Sequence, residues 1–338
     1  MEGEIANQAV LSLPAPWYRD PGIFERERQA IFRREWHLLG HLGALSGPGD
    51  FIAGDIAGWA IFVIRDRDGA LKGFHNQCRH RAAPLLAGET GHCDVLRCPY
   101  HGWVYDSAGR LRQTPEFGAA LDKERLGLHP IVVDVWRDLV FVNLDPGCPP
   151  LTEGLGALVE EAAGYPMEEF TIARRVSYDI ACDWKVYVEN YVEGYHIPYL
   201  HPVLNAQIDA KAYTVRNRGR VCIHEAPSRT GAVYNGRWLW RYPNLSLAVY
   251  PDGMNLSRTL PLGLGRTRLY IDFFFRELTP AAERAMATTR AVVEEDFPIC
   301  EAVQHSLESG LYQGGPLSPR HEEGIVMFHS LVRAAVGV

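Results

Sequence analysis

The sequence predicts an α+β protein in which a small antiparallel β domain precedes a larger domain of helices and a largely antiparallel sheet. Short β-rich runs such as Trp59–Ile64 and Val140–Leu144 alternate with Gly- and Asp-rich turns between about Trp36 and Asp145. A Pro/Gly cluster at 146–150 follows and indicates a domain boundary. Beyond it, strand patterns are flanked by helical patterns at both ends, which favours an α+β arrangement.

Local patterns predict the individual elements. Asp20-Pro21 before an apolar segment predicts an N-capped helix with proline in its first turn, and Asp68-Gly69 predicts a hairpin turn. The helices and strands predicted beyond the boundary are Leu155–Ala163, Lys185–Tyr195, Pro280–Leu311, Arg237–Arg241, Leu245–Tyr250 and Arg268–Arg276. We therefore expect a helical segment at 1–37 that packs with the last domain, a β domain at 38–145 and an α+β domain at 146–338.

Composition excludes several classes of protein. The 338 residues carry a formal net charge of −7, so no basic surface indicates binding to nucleic acid or to an anionic membrane. The sequence contains no run of about 18 apolar residues, the length that a membrane-spanning helix needs. The acidic N-terminus lacks the basic start and apolar core of a signal peptide. Seven cysteines in a chain of this size do not suggest a disulfide framework. These features predict a cytoplasmic protein whose cysteines are free or bind metal.

Two cysteines and two histidines form a paired motif in the β domain. Cys78 and His80 are followed, after 17 residues, by Cys98 and His101. A Rieske [2Fe–2S] centre needs two thiolates on one iron and two imidazoles on the other, and each half of this motif supplies one of each. A structural zinc site also accepts two cysteines and two histidines and stays open as an alternative, although the mixed order C-x-H…C-x-x-H fits it less well.

A second set of metal-binding residue types follows the boundary. His196 and His201 are five residues apart, and Pro198 between them cannot continue a helix without losing a backbone hydrogen bond. Glu193 and His196 are three apart, so we expect them to share a helix face. Two histidines of this kind with one carboxylate would form a facial triad that holds Fe(II) and leaves positions open for O2.

Asp296 is the candidate for the carboxylate ligand. Written as a helix, Val292, Asp296, Ile299, Val303 and Leu307 form an apolar stripe that includes this aspartate. A buried aspartate needs a partner, and a metal ion is one. Its neighbours Glu294 and Glu295 fall off the stripe and are expected to be solvated, and Pro298 is expected to distort the helix nearby. Taken alone, each histidine or aspartate more often has a structural role, and it is their joint occurrence that favours a metal site.

These motifs together resemble a known family, the Rieske non-haem iron aromatic-ring-hydroxylating oxygenases and their demethylase relatives. The resemblance covers nearly the whole chain, and its motifs are Trp17-Tyr18, CRH…CPYHGW, DWKVYVENYVEGYHIPYLHP and EEDFPICEAVQ. It implies that Cys78, His80, Cys98 and His101 bind the cluster, and that His196, His201 and Asp296 bind a mononuclear Fe(II). It also implies a helix-grip (START-like) catalytic domain behind the Rieske domain.

The resemblance further implies a terminal oxygenase that acts on a small molecule with O2. No dinucleotide-binding fingerprint lies in a strand–helix context, so NAD(P)H electrons would arrive through a separate reductase, with or without a ferredoxin. Members usually form a head-to-tail homotrimer in which electrons cross to the neighbour's iron through an acidic residue, and Glu193 occupies that position. Asn190 is the second residue that the resemblance places in the catalytic machinery.

Glu193 departs from the aspartate that many relatives carry at the bridge. The spacing from Asn190 to His196 is also one residue shorter than in the naphthalene-dioxygenase type. The same Asn-x-x-Glu-x-x-His arrangement is seen in the carnitine and glycine-betaine oxygenase branch, which favours a quaternary-ammonium substrate. Hydroxylation or demethylation of an aromatic compound stays open, as do a Rieske electron carrier and a zinc-binding module. Candidates for the pocket lining, each also a candidate for the core, are Tyr234, Trp238, Trp240, Tyr250, Phe273 and Phe275.

Overall fold

The structure is a computed structural model that describes residues 10–209, 212–226 and 236–337. It separates into two compact units, one from Phe32 to Gly154 and one that joins the segment up to Ile31 with the segment from Leu155 onward. The first unit extends further than the expected 38–145 because its ends pack on each other. The indole Nε1 of Trp36 donates a hydrogen bond to the carbonyl of Pro149 at 2.9 Å, and Gly154 lies against the same indole.

The first unit is a β domain built on two antiparallel sheets. The larger has the order β1-β10-β9-β4-β3-β2-β5, and the smaller has the order β6-β7-β8. The strands are β1 (His37–His41), β2 (Asp50–Ile56), β3 (Trp59–Arg65), β4 (Leu71–His75), β5 (Thr90–His92), β6 (Leu96–Arg97), β7 (Val104–Tyr105), β8 (Leu111–Gln113), β9 (Pro130–Trp136) and β10 (Leu139–Asn143). The predicted turn at Asp68-Gly69 is confirmed, since Gly69 has φ of 85° between β3 and β4.

The second unit has one seven-stranded antiparallel sheet, with the order β11-β17-β16-β15-β14-β13-β12. Its strands are β11 (Thr171–Ile180), β12 (Thr214–Arg218), β13 (Val221–Glu225), β14 (Arg237–Arg241), β15 (Leu245–Val249), β16 (Gly253–Gly263) and β17 (Arg266–Phe275). Its helices, with one short helix at the end of the first unit, are α1 (Pro16–Arg19), α2 (Pro21–Glu27), α3 (Leu151–Leu155), α4 (Leu158–Glu161), α5 (Trp184–Tyr191), α6 (Ile197–Leu200), α7 (Pro202–Gln207), α8 (Pro280–Glu308) and α9 (Glu323–Val336). The predicted α+β class is confirmed.

Helix α2 begins where the sequence predicts. The carboxylate of Asp20 accepts hydrogen bonds from the backbone N–H groups of Gly22 and Ile23, and Pro21 is the first helical residue. No helix in the described ranges is both long and apolar enough to cross a membrane.

Helix α5 ends four residues before the predicted limit. The prediction that Glu193 and His196 share a helix face is therefore wrong, although the two side chains do meet. Val192 leaves helical geometry with ψ of 13°. The carboxylate of Glu193 then accepts hydrogen bonds from the backbone N–H groups of Tyr195 and His196. A side chain that binds nearby backbone donors offers the chain an alternative to the next helical turn.

Helix α8 is continuous through Pro298, and its buried face differs from the predicted stripe. Ile299 and Val303 are 46% and 39% exposed, which corrects the expectation that both lie on the apolar side. The buried positions are Ala282, Met286, Asp296, Cys300, Gln304 and Leu307. Asp296 therefore lies on the buried side, as expected, but on a face that includes a cysteine and a glutamine. The amide oxygen of Gln304 accepts the backbone N–H of Asp183, which ties α8 to the start of α5.

Candidate functional site

The two loops that carry the first motif fold alike. Cys78 donates its backbone N–H to the carbonyl of Ala83 at 2.8 Å, and Cys98 donates to the carbonyl of Trp103 at 2.8 Å. In each loop the residue four places after the cysteine returns a hydrogen bond to the cysteine carbonyl and has a positive φ. These residues are Ala82 (φ 59°) and Gly102 (φ 70°). Each loop therefore contributes one cysteine and one histidine to the motif with the same backbone geometry.

The four side chains of this motif differ in burial. Cys78 and Cys98 are buried in its apolar core, while His101 is exposed. The rings of His80 and His101 are 4.5 Å apart, and His80 stacks on Trp103 at 4.8 Å. Nδ1 of His80 is buried and has no hydrogen-bond partner within the described residues. A buried ring nitrogen without a partner is costly unless it binds something, and a metal ion satisfies it.

The spread of these donors fits two metal ions better than one. Across the described ranges, His196, His201 and Asp296 form the one group of three donors that converges within 4.8 Å, and the first motif forms no such group. A single zinc ion would draw all four donors to about 2.0–2.3 Å of one atom. A [2Fe–2S] cluster instead separates the thiolate pair from the imidazole pair. The donor set and its spacing therefore fit a Rieske cluster.

Tyr105 is placed to influence the cysteine side of this centre. Its hydroxyl lies 3.4 Å from Sγ of Cys78 and accepts the backbone N–H of Arg79 at 3.0 Å. Burial, together with the contact to Cys78, raises the pKa of Tyr105 above its usual value. The phenol therefore keeps its proton and can donate it to the sulfur.

The second motif converges at the end of α5. Nε2 of His196 lies 3.2 Å from Nε2 of His201, and Oδ1 of Asp296 lies 3.1 Å from Nε2 of His201 and 3.8 Å from Nε2 of His196. His196 precedes α6 and His201 follows it, so this single turn folds the two rings toward each other. Asp296 reaches the same point from α8.

Each of these three side chains has its own hydrogen-bond partner, which for the two histidines lies on the outer ring nitrogen. Glu193 contacts Nδ1 of His196. Glu295 contacts Nδ1 of His201 at 2.8 Å. Asn190 donates its amide N–H to Oδ1 of Asp296 at 3.2 Å.

These outer partners determine what the inner atoms offer. A carboxylate accepts hydrogen bonds only, so each Nδ1 is the donor in these contacts, and each Nε2 is the ring atom left to bind a metal ion. The two Nε2 atoms and Oδ1 of Asp296 converge within 4.8 Å of one another, which suits a cation held between them. The donor set therefore fits a metal ion held by two histidines and one carboxylate.

Glu295 corrects the sequence interpretation, which expected it to be solvated. Its side chain is 35% exposed, yet its Oε2 binds His201. Glu294 behaves differently, since it is 46% exposed and accepts the hydroxyl of Tyr178 at 2.8 Å. Hydrophobic periodicity could not separate the two residues, because the partner of Glu295 comes from a loop 94 positions away.

A cavity of about 150 Å³ opens beside His196, His201 and Asp296. An apolar cavity of about this size can hold benzene, so the site accepts a small molecule. Trp238 and Tyr250 line it, as the sequence suggested. The other described aromatic lining residues, which the sequence interpretation missed, are Tyr187, Tyr191, Tyr213 and His224.

The remaining aromatic candidates belong elsewhere or lie outside the described residues. Trp240 is 1% exposed and contacts the ring of Phe328 at 5.6 Å in the core. Phe273 and Phe275 are buried in β17 and do not line the cavity. Tyr234 falls outside the part of the chain that the structure describes. Aromatic residues of the core and of a pocket have the same strand pattern, so sequence could not separate them.

His224 is an uncharged member of the cavity wall. Its Nδ1 lies 2.7 Å from the hydroxyl of Tyr213, and its Nε2 lies 3.3 Å from Sγ of Cys222. Complete burial, with a smaller effect from His196, lowers the pKa of His224 to about 4. The ring is therefore neutral at pH 7 and adds no positive charge to the cavity.

Both units match family models. Residues 35–130 match the model of the Rieske [2Fe-2S] domain. Residues 167–235 and 215–337 match the model of the ring hydroxylating alpha subunit (catalytic domain).

Individual relatives cover almost the full chain. It is 30% identical to the carnitine monooxygenase oxygenase subunit of Escherichia coli (strain K12), over 96% of this chain and 94% of that protein. It is 29% identical to the chloroplastic choline monooxygenase of Atriplex hortensis, over 95% of this chain and 77% of that protein. The crystal structure of a quaternary ammonium Rieske monooxygenase in complex with L-carnitine has a TM-score of 0.86 at 28% identity, and covers 98% of this chain and 97% of its own. Naphthalene 1,2-dioxygenase, with a TM-score of 0.81 at 20% identity over 97% of this chain and 93% of its own, has the same fold.

Proposed function

The chain belongs to the Rieske non-haem iron oxygenases with a ring-hydroxylating alpha-subunit catalytic domain, and we propose that its substrate is a small quaternary-ammonium compound, which it hydroxylates or oxidatively demethylates. The observation that carries this proposal is the convergence of His196, His201 and Asp296 at the wall of a small cavity with aromatic and acidic lining.

The cavity lining suits a permanent cation. Aromatic side chains attract an ammonium group through their ring faces, by about 0.5–2 kcal/mol each. Glu193 adds negative charge beside the iron ligands, and the lining residues within the described ranges include no lysine or arginine. The aromatic members of this wall are Tyr187, Tyr191, Tyr213, Trp238 and Tyr250. The relatives include carnitine and choline monooxygenases, which supports the same substrate class.

The cofactors are those of the family, a Rieske [2Fe–2S] cluster and a mononuclear iron, with NAD(P)H electrons supplied through a reductase. When bound, the cluster transfers single electrons and the iron activates O2. We assign the cluster to Cys78, His80, Cys98 and His101, because their loops present two thiolates and two imidazoles. We assign the iron to His196, His201 and Asp296. We propose that the Rieske domain is centred on 38–145 and the catalytic domain on 146–338, and that the helical segment at 10–31 packs on the latter, which the contacts of α1 with α8 and of α2 with α9 support.

Asn190 has a positioning role in this scheme. Its amide N–H holds Oδ1 of Asp296 and so fixes the direction in which the carboxylate faces the two imidazoles. A ligand that a neighbouring side chain already holds in place loses less conformational freedom when the metal binds. The neutral ring of His224 holds the hydroxyl of Tyr213, so that this phenol presents its ring to the cavity.

Glu193 is held ready to accept a further hydrogen bond. Its two oxygens receive the backbone N–H groups of Tyr195 and His196 and the ring Nδ1 of His196. A carboxylate has about four lone-pair sites, so one acceptor position is left. We propose that it receives His101 of the partner subunit and forms the route for electrons between the two centres.

The assembly that this route needs is a head-to-tail homotrimer. In the first unit His101 is exposed beside Tyr100, which is 54% exposed. In the second unit Tyr195 and Tyr199, two and six residues after Glu193, are 50% and 85% exposed. Exposed aromatic residues of this kind are enriched in protein interfaces. A structural relative is described in terms of inter-subunit electron transfer, which supports the arrangement.

The remaining partners follow from the redox chemistry. We propose a reductase that acts with or without a ferredoxin. All seven cysteines are unpaired, as is usual in a reducing compartment. We therefore place the protein in the cytoplasm.

The test is a substrate panel with the reconstituted protein and a surrogate reductase, scored for O2 uptake and for aldehyde release. The panel contains choline, L-carnitine and gamma-butyrobetaine, each with the isostere in which carbon replaces the ammonium nitrogen, and indole and naphthalene as aromatic compounds. We expect turnover of at least one ammonium compound and none of its isostere. Turnover of the aromatic compounds alone, or equal turnover of an isostere, would reject the proposed substrate class.

A further inference from the structure

Glu295 is a carboxylate beside the iron site that belongs neither to the metal ligands nor to the proposed electron route. It directly precedes Asp296 on α8, and its Oε2 lies 2.8 Å from Nδ1 of His201. The side chain of His201 is 2% exposed, so Nδ1 has little access to water and Glu295 is its hydrogen-bond partner. The histidine ring thus lies between two acidic groups, Glu295 on Nδ1 and Asp296 at 3.1 Å from Nε2.

We propose that Glu295 is a positioning residue for the mononuclear iron, which holds His201 in the metal-binding orientation and increases the basicity of its Nε2. The inference rests on the proposed function only for the assignment of His201 as an iron ligand. A carboxylate that accepts the second N–H of a metal-binding imidazole fixes its tautomer and its ring direction. Both histidines of the site then have a carboxylate of their own, Glu193 for His196 and Glu295 for His201.

The two carboxylates differ in their other contacts, and this gives them different roles. Glu193 also accepts two backbone N–H groups, so its charge is shared with its own loop. Within the described ranges, Glu295 has His201 as its single polar contact, and its side chain is 35% exposed. The hydrogen-bonding role of Glu295 is therefore confined to the imidazole, whereas Glu193 also shapes the loop and remains available to a partner.

A purely structural role does not explain Glu295. Glu294, one position earlier, accepts the hydroxyl of Tyr178 and lies 3.5 Å from Arg290, so it ties α8 to β11 and to its own helix. Glu295 makes no such connection to a cation or to the sheet. Its partner is His201, whose buried ring otherwise contacts Asp296 and His196. Glu295 therefore holds the ring toward these two residues.

The test compares three variants of the full-length protein with the cluster in place. Glu295→Ala removes the acceptor, Glu295→Gln keeps an acceptor oxygen but removes the charge, and Glu294→Ala is the matched control on the same helix. Apoprotein at the iron site is titrated with Fe(II) against a chelator of known affinity, and the visible spectrum is recorded after loading with Co(II). We expect a loss of affinity of about 10–100-fold for Glu295→Ala, a smaller loss for Glu295→Gln, and wild-type affinity for Glu294→Ala.

The outcomes separate this inference from the proposed function. If the wild-type protein binds no Fe(II) outside the cluster, the proposed function fails. If it binds Fe(II) and Glu295→Ala binds it equally well with an unchanged Co(II) spectrum, only the role of Glu295 is rejected. Equal losses for Glu295→Ala and Glu294→Ala, with a lower unfolding temperature in both, would assign the effect to the stability of α8 and also reject it.

Discussion

Nε2 of His196 lies 3.2 Å from Nε2 of His201, with Oδ1 of Asp296 completing the group from another helix. Replacement of His196 or Asp296 by alanine removes one of three donors from this group. We expect each variant to lose the mononuclear iron and all turnover, while the cluster irons and their colour remain. The measurement is iron and acid-labile sulfide content, with EPR of the reduced protein.

His305→Ala is the matched control for these variants. His305 lies on the same helix as Asp296, but its side chain is 89% exposed. It should retain full iron content. Retention of the mononuclear iron in both Asp296→Ala and His196→Ala would reject the assigned ligands.

Substitution of Cys98 tests the assignment of the cluster ligands. Cys98→Ser replaces a thiolate that is 2% exposed in the core of the β domain. We expect loss of the visible absorption of the cluster and of its sulfide, together with a lower unfolding temperature, because binding of a metal centre contributes folding energy. Cys93→Ser in the same unit is the control and should keep the colour. A bleached Cys93→Ser beside a coloured Cys98→Ser would move the ligand to Cys93.

Glu193→Gln tests the route between the two centres. Glutamine keeps an acceptor oxygen toward Nδ1 of His196 but removes the charge that the bridge needs. We expect the variant, loaded with excess Fe(II), to hold both metals, because glutamine keeps an acceptor toward His196. We expect reduction of the cluster at the wild-type rate and turnover about tenfold slower, since a change in such an outer contact costs about 10–100-fold in activity. Stopped-flow absorption of the cluster in the presence of substrate and O2 measures its re-oxidation directly. Re-oxidation at the wild-type rate would remove Glu193 from the route.

Sequence predicts those parts of the site whose residues lie a few positions apart in the chain. Cys78 and His80, Cys98 and His101, and His196 and His201 are each separated by a few residues, so one loop or one turn brings each pair together. Asp296 is distant, but a carboxylate on a buried helix face is itself a signal. The cap of α2 at Asp20 and the limits of β14 follow from equally local rules.

The parts that sequence misses depend on contacts between distant segments. The Nζ of Lys185 is fully buried 2.8 Å from Glu27 and beside Asp183, and nothing in the periodicity of α5 indicates it. The contact of Glu295 with His201, 94 positions away along the chain, has the same origin. In both, a side chain that looks solvated on its own element finds a partner on another segment, and the local pattern does not record that partner.

His224 leads to a prediction about pH. The pKa of its buried ring is about 4, against an ordinary value of 6.5. Above pH 6.5 the folded and unfolded chains both carry a neutral ring, so this residue makes no pH-dependent contribution. Between pH 6.5 and 4 the unfolded chain binds a proton that the folded chain does not, so the free energy of unfolding falls as the pH falls. At about 1.4 kcal/mol per pKa unit, the loss is about 3 kcal/mol.

His224→Asn isolates this contribution. The amide oxygen of asparagine can replace Nδ1 as the acceptor for Tyr213, but it does not titrate. We expect the variant to lose less stability than the wild type between pH 6.5 and 4, by about 3 kcal/mol, in denaturant unfolding followed across that range. His305→Asn, at an exposed histidine, should keep the wild-type slope. If the free energy of unfolding of His224→Asn falls with pH as steeply as that of the wild type, His224 takes up a proton as readily in the folded protein as in the unfolded chain. The cavity would then contain a cationic histidine at low pH, and the prediction would be wrong.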